Sequence, residues 1–385
     1  MPTRHFVYEK DILKHYVRTN GWLPVCKNRL RIIRSQPFRI GHTRRLRYFT
    51  FCAVGAIDVL MLDVANVIRR SQNGKFDTVC FFDKSIESVT ETEKRIPGAI
   101  GYPGNFIDVV LIEDPEEPFI VDGGTPLDAP EDQSDTTATR KRQVQLAQRQ
   151  SFINQFPFDV INLDIEEFLF KPKDPLPGKV INALKKILSW QQRDLITGNR
   201  ATKLDGFSLM FTTQIGPPNL KADYLLMLRN QLNKNMKADK KLEDLLVQRS
   251  GIKDIPRLQR ENFNLFFKLA MPKVLAATLM DLDWHIDPEK GITIYEFDRE
   301  HRDGTYKMLH LVMDVKRNNP SNDRRAPGDI PLEAKSAYAD VARKIFMKKE
   351  IIVIEEDIEK ELLQKSMDLI ISRRRKYYPD ELLQQ

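Results

Sequence analysis

Between Arg47 and Arg70 the chain reads RYFTFCAVGAIDVLMLDVANVIRR, and its hydrophobic spacing changes once along the way. Tyr48 to Cys52 is a continuous aromatic and apolar run, which predicts a central strand covered on both faces. From Ala56 onward Ile57, Leu60, Met61 and Val64 recur at steps of three and four, followed by Val67 and Ile68, and this predicts a helix with one apolar face. The turn between them, Ala53 to Ala56, is made of small residues at a helix N-terminus. Backbone can approach a ligand there, and free N–H groups can face an anion. A dinucleotide fingerprint needs three glycines where this turn has only Gly55, so a Rossmann dehydrogenase is a poor reading. A packing turn without a ligand is the plain alternative.

The same alternation of periods continues downstream. Phe76 to Asp83 predicts a second buried strand ending in a carboxylate. A polar helix follows up to Pro97-Gly98, then a third strand at Phe106 to Ile112 with Glu113 and Asp114 at its end. After a helix at RKRQVQLAQRQSFINQF comes a fourth strand, Asp159 to Leu163, again closed by a carboxylate, Asp164. An amphipathic helix starting at Lys179 and a fifth strand, Phe207 to Thr212, complete the alternation. Helices from Asp223 to Met280 precede two more strands, Ile292 to Glu300 and Tyr306 to Arg317. Asp303-Gly304 between these two signals an antiparallel hairpin. Upstream, helical spacing over residues 6 to 19 ends at Asn20-Gly21, and residues 22 to 46 carry no sustained period, with a short strand at Leu30 to Ile33 as the one candidate element.

Charge changes the picture at two places. The 385-residue chain carries a net +7, yet Met1 to Thr50 alone holds 12 Lys and Arg against 2 acids. This basic N-terminal arm, 1–47, mixes Arg with Phe and Tyr, a composition suited to phosphate contact with stacking groups, and Arg44, Arg45 and Arg47 are its candidate nucleic-acid-binding residues. The plain alternative is a basic extension packed on an acidic face of its own domain or of a partner. Residues 113–139 hold nine acids and no Lys or Arg. Their Pro- and Gly-rich composition predicts a mobile acidic loop, which could be disordered, act as a lid, or fold against the arm. A helical tail, 318–385, closes the chain. The six histidines show no metal spacing, so no metal site is expected. Scattered cysteines, no apolar signal core and no apolar run long enough to cross a bilayer predict a soluble protein of the reducing cytoplasm, with no membrane partner.

The order of elements over residues 48–317 resembles the class I S-adenosylmethionine-dependent methyltransferase fold. That fold is α/β, a mostly parallel seven-stranded Rossmann-like sheet flanked by helices and closed by an antiparallel hairpin. TFCAVGAID is similar to the family's first motif, with Ala53 where glycine is usual and Thr50 where an acid often lies. The resemblance implies that Ala53 and Gly55 pass the methionine moiety of S-adenosylmethionine, Asp83 holds the ribose and Asp114 faces the adenine. FDVINLD resembles the fourth motif of RNA and DNA methyltransferases, which implies that Asp164 lies near the methyl acceptor. The family usually continues with a proline and an aromatic residue that orient the target amine, and here Ile165 and Glu166 follow instead.

Two functions from different classes follow. One is a methyltransferase-like protein that binds S-adenosylmethionine and interacts with RNA or DNA, with Asp164 as its catalytic residue. The other is a catalytically silent scaffold or nucleic-acid-binding subunit of a protein complex, in which Asp164 is a helix cap or an ion-pair partner of Lys171.

Overall fold

The computed structural model describes residues 12–39, 44–52, 55–112, 133–165, 168–169, 178–197, 200–216, 220–238, 240–287, 290, 292–301 and 304–318. The tail expected over 318–385 lies outside the described residues beyond Asn318, as does the acidic stretch from Glu113 to Asp132. From Gln133 the expected loop is already helical.

Strands β1 (Tyr48–Thr50), β2 (Val79–Asp83), β3 (Ile100–Pro103), β4 (Val160–Asp164) and β7 (Gly206–Gln214) are mutually parallel, in the order β3-β2-β1-β4-β7. The order reverses between β1 and β4, which is the switch point at which open α/β sheets bind ligands beyond their carboxyl ends. β10 (Gly304–Arg317) joins β7 antiparallel, and its far side pairs with β8 (Trp284–Ile286) and β9 (Ile292–His301). β8 and β9 occupy successive stretches of β10, so eight strands fill the seven positions expected. A short hairpin of β5 (Asp194–Thr197) and β6 (Arg200–Lys203) stands apart from the sheet and has no counterpart in the sequence reading.

The helices form two layers. Against one face pack α1 (Ile12–Val17), a π turn (Arg18–Trp22), α2 (Leu23–Ser35), α3 (Ile57–Val64) and α4 (Ile86–Arg95). Against the other pack α5 (Phe106–Leu111), α6 (Gln133–Ile153), α7 (Lys179–Trp190), α8 (Ala222–Ala238), α9 (Lys240–Ser250), α10 (Ile255–Glu261) and α11 (Phe263–Met280). α11 is long and apolar enough to cross a bilayer, contrary to the sequence reading. However, 67% of it is buried in the protein, where Phe266, Phe267 and Leu275 pack in the core.

Two predicted elements are corrected. The third strand is Ile100–Pro103, and the apolar run after it is α5. The reason is local. Gly104, at φ 117, turns the chain in a region closed to L side chains, and Asn105 then caps the helix by accepting from the Ile107 N–H at 2.9 Å. The strand expected at Leu30 to Ile33 is instead the middle of α2, and Asn20-Gly21 sits inside the π turn rather than ending a helix. Trp22, Cys26, Leu30 and Ile33 form the buried stripe of this segment. Arginines and lysines between them dilute the apolar period that would have revealed it.

Candidate functional site

The carboxyl ends of β1 and β4 flank the switch point, that of β2 lies beside β1, and the sequence explains how each is held. β1 ends at Thr50, and the chain returns through buried Gly55 into α3, whose N-cap Ala56 is itself buried in the left-handed region at φ 46. Ala53 lies outside the described residues. Asp58, in the first turn of α3, reaches back under the strand end. Its Oδ2 accepts from Thr50 Oγ1 at 2.8 Å and Tyr48 Oη at 3.1 Å, while Oδ1 accepts from Cys52 Sγ at 3.5 Å. An acid at the first turn also complements the helix dipole. Thr50, where the resemblance would put an acid, thus donates to an acid eight residues later. Asn162 on β4 extends this network by donating to Tyr48 Oη at 3.0 Å and Thr50 Oγ1 at 3.4 Å. Burial, followed by the Asp58 charge, raises the Tyr48 phenol and the Cys52 thiol well above their usual pKa ranges.

β2 ends at Asp83, which is half-buried, and its Oδ1 accepts from the Ser85 N–H at 3.3 Å. Burial raises its pKa, partly opposed by the backbone N–H groups it accepts from. Ser85 then caps α4 by accepting from the Ser88 N–H at 3.0 Å. Asp83 therefore stands with a fixed orientation at the carboxyl end of the strand beside β1. Asp114, assigned to the adenine, lies outside the described residues. It does not follow the third strand, which ends at Pro103 and runs into Gly104-Asn105.

Asp164 closes β4, and the N-terminal segment covers it. Lys14 Nζ sits 2.5 Å from Asp164 Oδ2, with the two side chains 15% and 8% exposed. Beside them His310 on β10, which is fully buried, accepts from Trp22 Nε1 at 2.7 Å through Nε2. Its Nδ1 must then carry the proton, and it donates to Thr212 Oγ1 at 2.6 Å. Burial lowers the His310 pKa to about 3, with the Asp164 charge opposing the shift, so the ring is neutral at physiological pH. Lys14, Trp22, Asp58, Asn162 and His310 were not singled out from the sequence. Asn162 and Asp164, two residues apart on a strand, were its one legible trace of a polar sheet face.

The three arginines proposed for nucleic acid are engaged within the chain. Arg44 Nε donates to the Arg39 carbonyl at 2.6 Å, and Arg45 makes a bidentate pair with Asp77 at 2.6 and 2.9 Å. Arg47 donates to the Gln155 carbonyl and lies over the Phe158 ring, and burial lowers its pKa. Nearby, Arg39 and Asp159 form a bidentate pair at 2.7 and 3.2 Å, each side chain 1% exposed. Together these contacts pin the N-terminal segment to the amino edge of the sheet.

Among the described residues no group of His, Cys, Asp and Glu is arranged to hold a metal ion. The cysteines Cys26, Cys52 and Cys80 are buried free thiols. For S-adenosylmethionine, the residues present fit the ribose end of the ligand: Asp83 is oriented and half-exposed at the end of β2. The adenine end has no described acid.

No protein-family model matches the sequence, and no curated protein matches it. Among solved structures, the chain is similar to an O-methyltransferase from Bacillus cereus in complex with SAH, at 10% identity, covering 77% of this chain and 95% of that one, with a TM-score of 0.27. At that TM-score the likeness adds nothing to the strand order, which by itself defines a Rossmann-like α/β sheet closed by antiparallel strands.

Proposed function

We propose that this chain is a methyltransferase-like protein that binds S-adenosylmethionine at the carboxyl ends of β1 and β2 and interacts with nucleic acid. The observation that carries the cofactor reading is Asp83, a half-buried and oriented carboxylate at the end of β2, the strand beside β1 at the switch point. Gly55 lets backbone approach the ligand, and Asp83 accepts from the ribose hydroxyls. Three buried thiols suit a reducing compartment, in keeping with a cytoplasmic protein.

Calorimetry tests this reading. S-adenosylmethionine or its demethylated product should bind, and Asp83→Ala should weaken binding by tenfold or more, since a hydrogen bond to a charged acceptor contributes about 1.5–3 kcal/mol. Absence of heat and of a thermal shift at millimolar cofactor removes the reading.

A second reading, a catalytically silent scaffold, is favoured by the ion pair between Lys14 and Asp164, which occupies the acid that would face a methyl acceptor. Labelled-methyl transfer to RNA or DNA separates the two. Transfer by the wild type, lost in Asp164→Ala with cofactor binding retained, establishes an enzyme. No transfer to any acceptor, with binding intact, supports the scaffold.

A further inference from the structure

Along the flank of α2, a groove of about 300 Å³ opens between this helix and the loop that follows α3. Lys27, Arg31 and Arg34 line one wall, Arg69 stands on the other, and Leu30 and Val67 form an apolar floor. The spacing is set by the helix. Positions 27, 31 and 34 fall at steps of four and three on one stripe, about 10 Å long at 1.5 Å per residue. The opposite wall is fixed as well: the Asn66 N–H bonds to the Asp63 carbonyl at 3.0 Å and the Val67 N–H to the Leu62 carbonyl at 2.8 Å.

No carboxylate lines this groove. The acids nearest in sequence are already committed, Asp63 to Arg70 at 2.7 Å and Asp77 to Arg45 at 2.6 Å. Among the described residues, Lys27, Arg34 and Arg69 form no ion pair, and Arg31 donates only to the neutral Asn28 side chain at 2.8 Å. After desolvation, the Arg69 charge is what lowers the Arg34 pKa, so the two guanidinium groups face each other without a counter-charge. Convergent cations with no acid between them repel, and an anion in the groove relieves that repulsion.

We propose that this groove binds the phosphodiester backbone of a nucleic acid strand, with Lys27, Arg31, Arg34 and Arg69 contacting phosphates and the Leu30–Val67 floor lying beneath the sugars. The stripe is long enough for about three nucleotides at 3.4 Å per step of one strand. The proposal rests on the nucleic-acid part of the reading above and moves its contacts from Arg44, Arg45 and Arg47, which are engaged internally, to four side chains that are exposed. It also separates docking from the cofactor. α2 runs from Trp22, beside His310, to Gln36, which bonds to Asp205 just ahead of β7, so the groove faces the amino half of the sheet. Asp83 and Asp164 lie at the carboxyl ends.

Fluorescence anisotropy of the full chain with labelled single-stranded and duplex RNA and DNA oligonucleotides, titrated across 50–300 mM salt, tests it, with inorganic triphosphate as competitor. The wild type is expected to bind with affinity falling steeply with salt. Arg34→Glu with Arg69→Glu should weaken binding by more than tenfold and flatten the logarithmic salt slope by about 0.7–0.9 per lost contact. Arg34→Lys with Arg69→Lys should retain most of the affinity. Lys27→Glu with Arg31→Glu provides an independent variant on the helix wall, and its expected loss is similar. An unchanged slope in both charge-reversal variants overturns the proposal. So does wild-type binding no tighter for an oligonucleotide than for triphosphate, which would assign the groove to a small polyphosphate. Because calorimetry with S-adenosylmethionine reads the other end of the sheet, its failure leaves this result standing, and the reverse also holds.

Discussion

The two faces of the central sheet are built from the same strands and could hardly differ more. On one face Phe49, Phe82, Ile161, Leu163, Leu209 and Phe211 alternate inward, all buried, and α5, α6 and α7 close over them. Phe152 of α6 sits at the middle of this layer, 4.9 Å from the ring centroids of both Phe49 and Phe82 and 5.1 Å from Phe156. One register step away, the other face presents Thr50, Asn162, Thr212 and His310 together with Tyr48 and Met210. Apolar packing without direction holds the first face. The second has an apolar cluster of its own, and adds to it hydrogen bonds that each require one partner at one distance, so it fixes geometry as well as supplying cohesion. The polar face is also the one that meets the carboxyl-edge carboxylates Asp83 and Asp164, and the one the N-terminal segment covers.

If that contrast holds, the largest loss should come from the aromatic face. Phe152→Ala should cost about 3–5 kcal/mol of unfolding free energy in a denaturant titration, the usual range for emptying a packed aromatic site. A cost below about 1 kcal/mol would mean that α6 packs loosely and that the division between the faces is overstated. On the polar face Asp58→Ala should cost about 2–3 kcal/mol, because it leaves the Tyr48 and Thr50 hydroxyls buried without their acceptor. Combining it with Tyr48→Phe should be clearly less than additive, since both changes break the same network. Strict additivity would show that the hydroxyls find other partners.

The smallest effect is a dependence on pH that only the polar face should show. His310 is neutral in the fold with its pKa lowered to about 3, whereas in the unfolded chain it titrates near 6.5. The unfolded state therefore binds the extra proton first. The stabilisation is complete above pH 6.5 and is lost progressively as pH falls from there toward about 3. At about 1.4 kcal/mol per unit, this amounts to about 2 kcal/mol between pH 6.5 and 5. Replacing His310 with Asn should flatten the slope of stability against pH over that interval, read by urea unfolding at several pH values. A slope equal to that of the wild type would place the titration elsewhere.

The legible parts of the fold share one property. β1, β2, β4 and β7 are buried on both faces and the β9–β10 pair is separated by an Asp-Gly in the sequence, so a continuous apolar run or a short-range turn signal marks them without reference to anything distant. α2 escaped for the opposite reason: four of its thirteen residues are Lys or Arg, and only packing against the sheet reveals which stripe is apolar. The third strand was misplaced because Ile100–Pro103 is short, and the stronger apolar run at Phe106 belongs to a helix whose start is decided by Gly104 and Asn105. At the candidate site Asp83 and Asp164 were legible as strand-end carboxylates. Their environments were not, since the partner of Asp164 lies 150 positions away at Lys14 and the histidine beside it comes from β10.

The sequence by itself determined the alternation of strand and helix, the carboxylates at two strand ends and the excess of positive charge near the N-terminus, because period, turn chemistry and composition are local properties of a chain. The tertiary structure alone decided which of those charges are free. Arg39, Arg45 and Arg47 are spent on Asp159, Asp77 and the Gln155 carbonyl, while Lys27, Arg34 and Arg69 converge on a groove with no acid among its lining residues. The energy of a charge depends on what lies within a few ångströms of it in space, and spacing along the chain does not contain that distance.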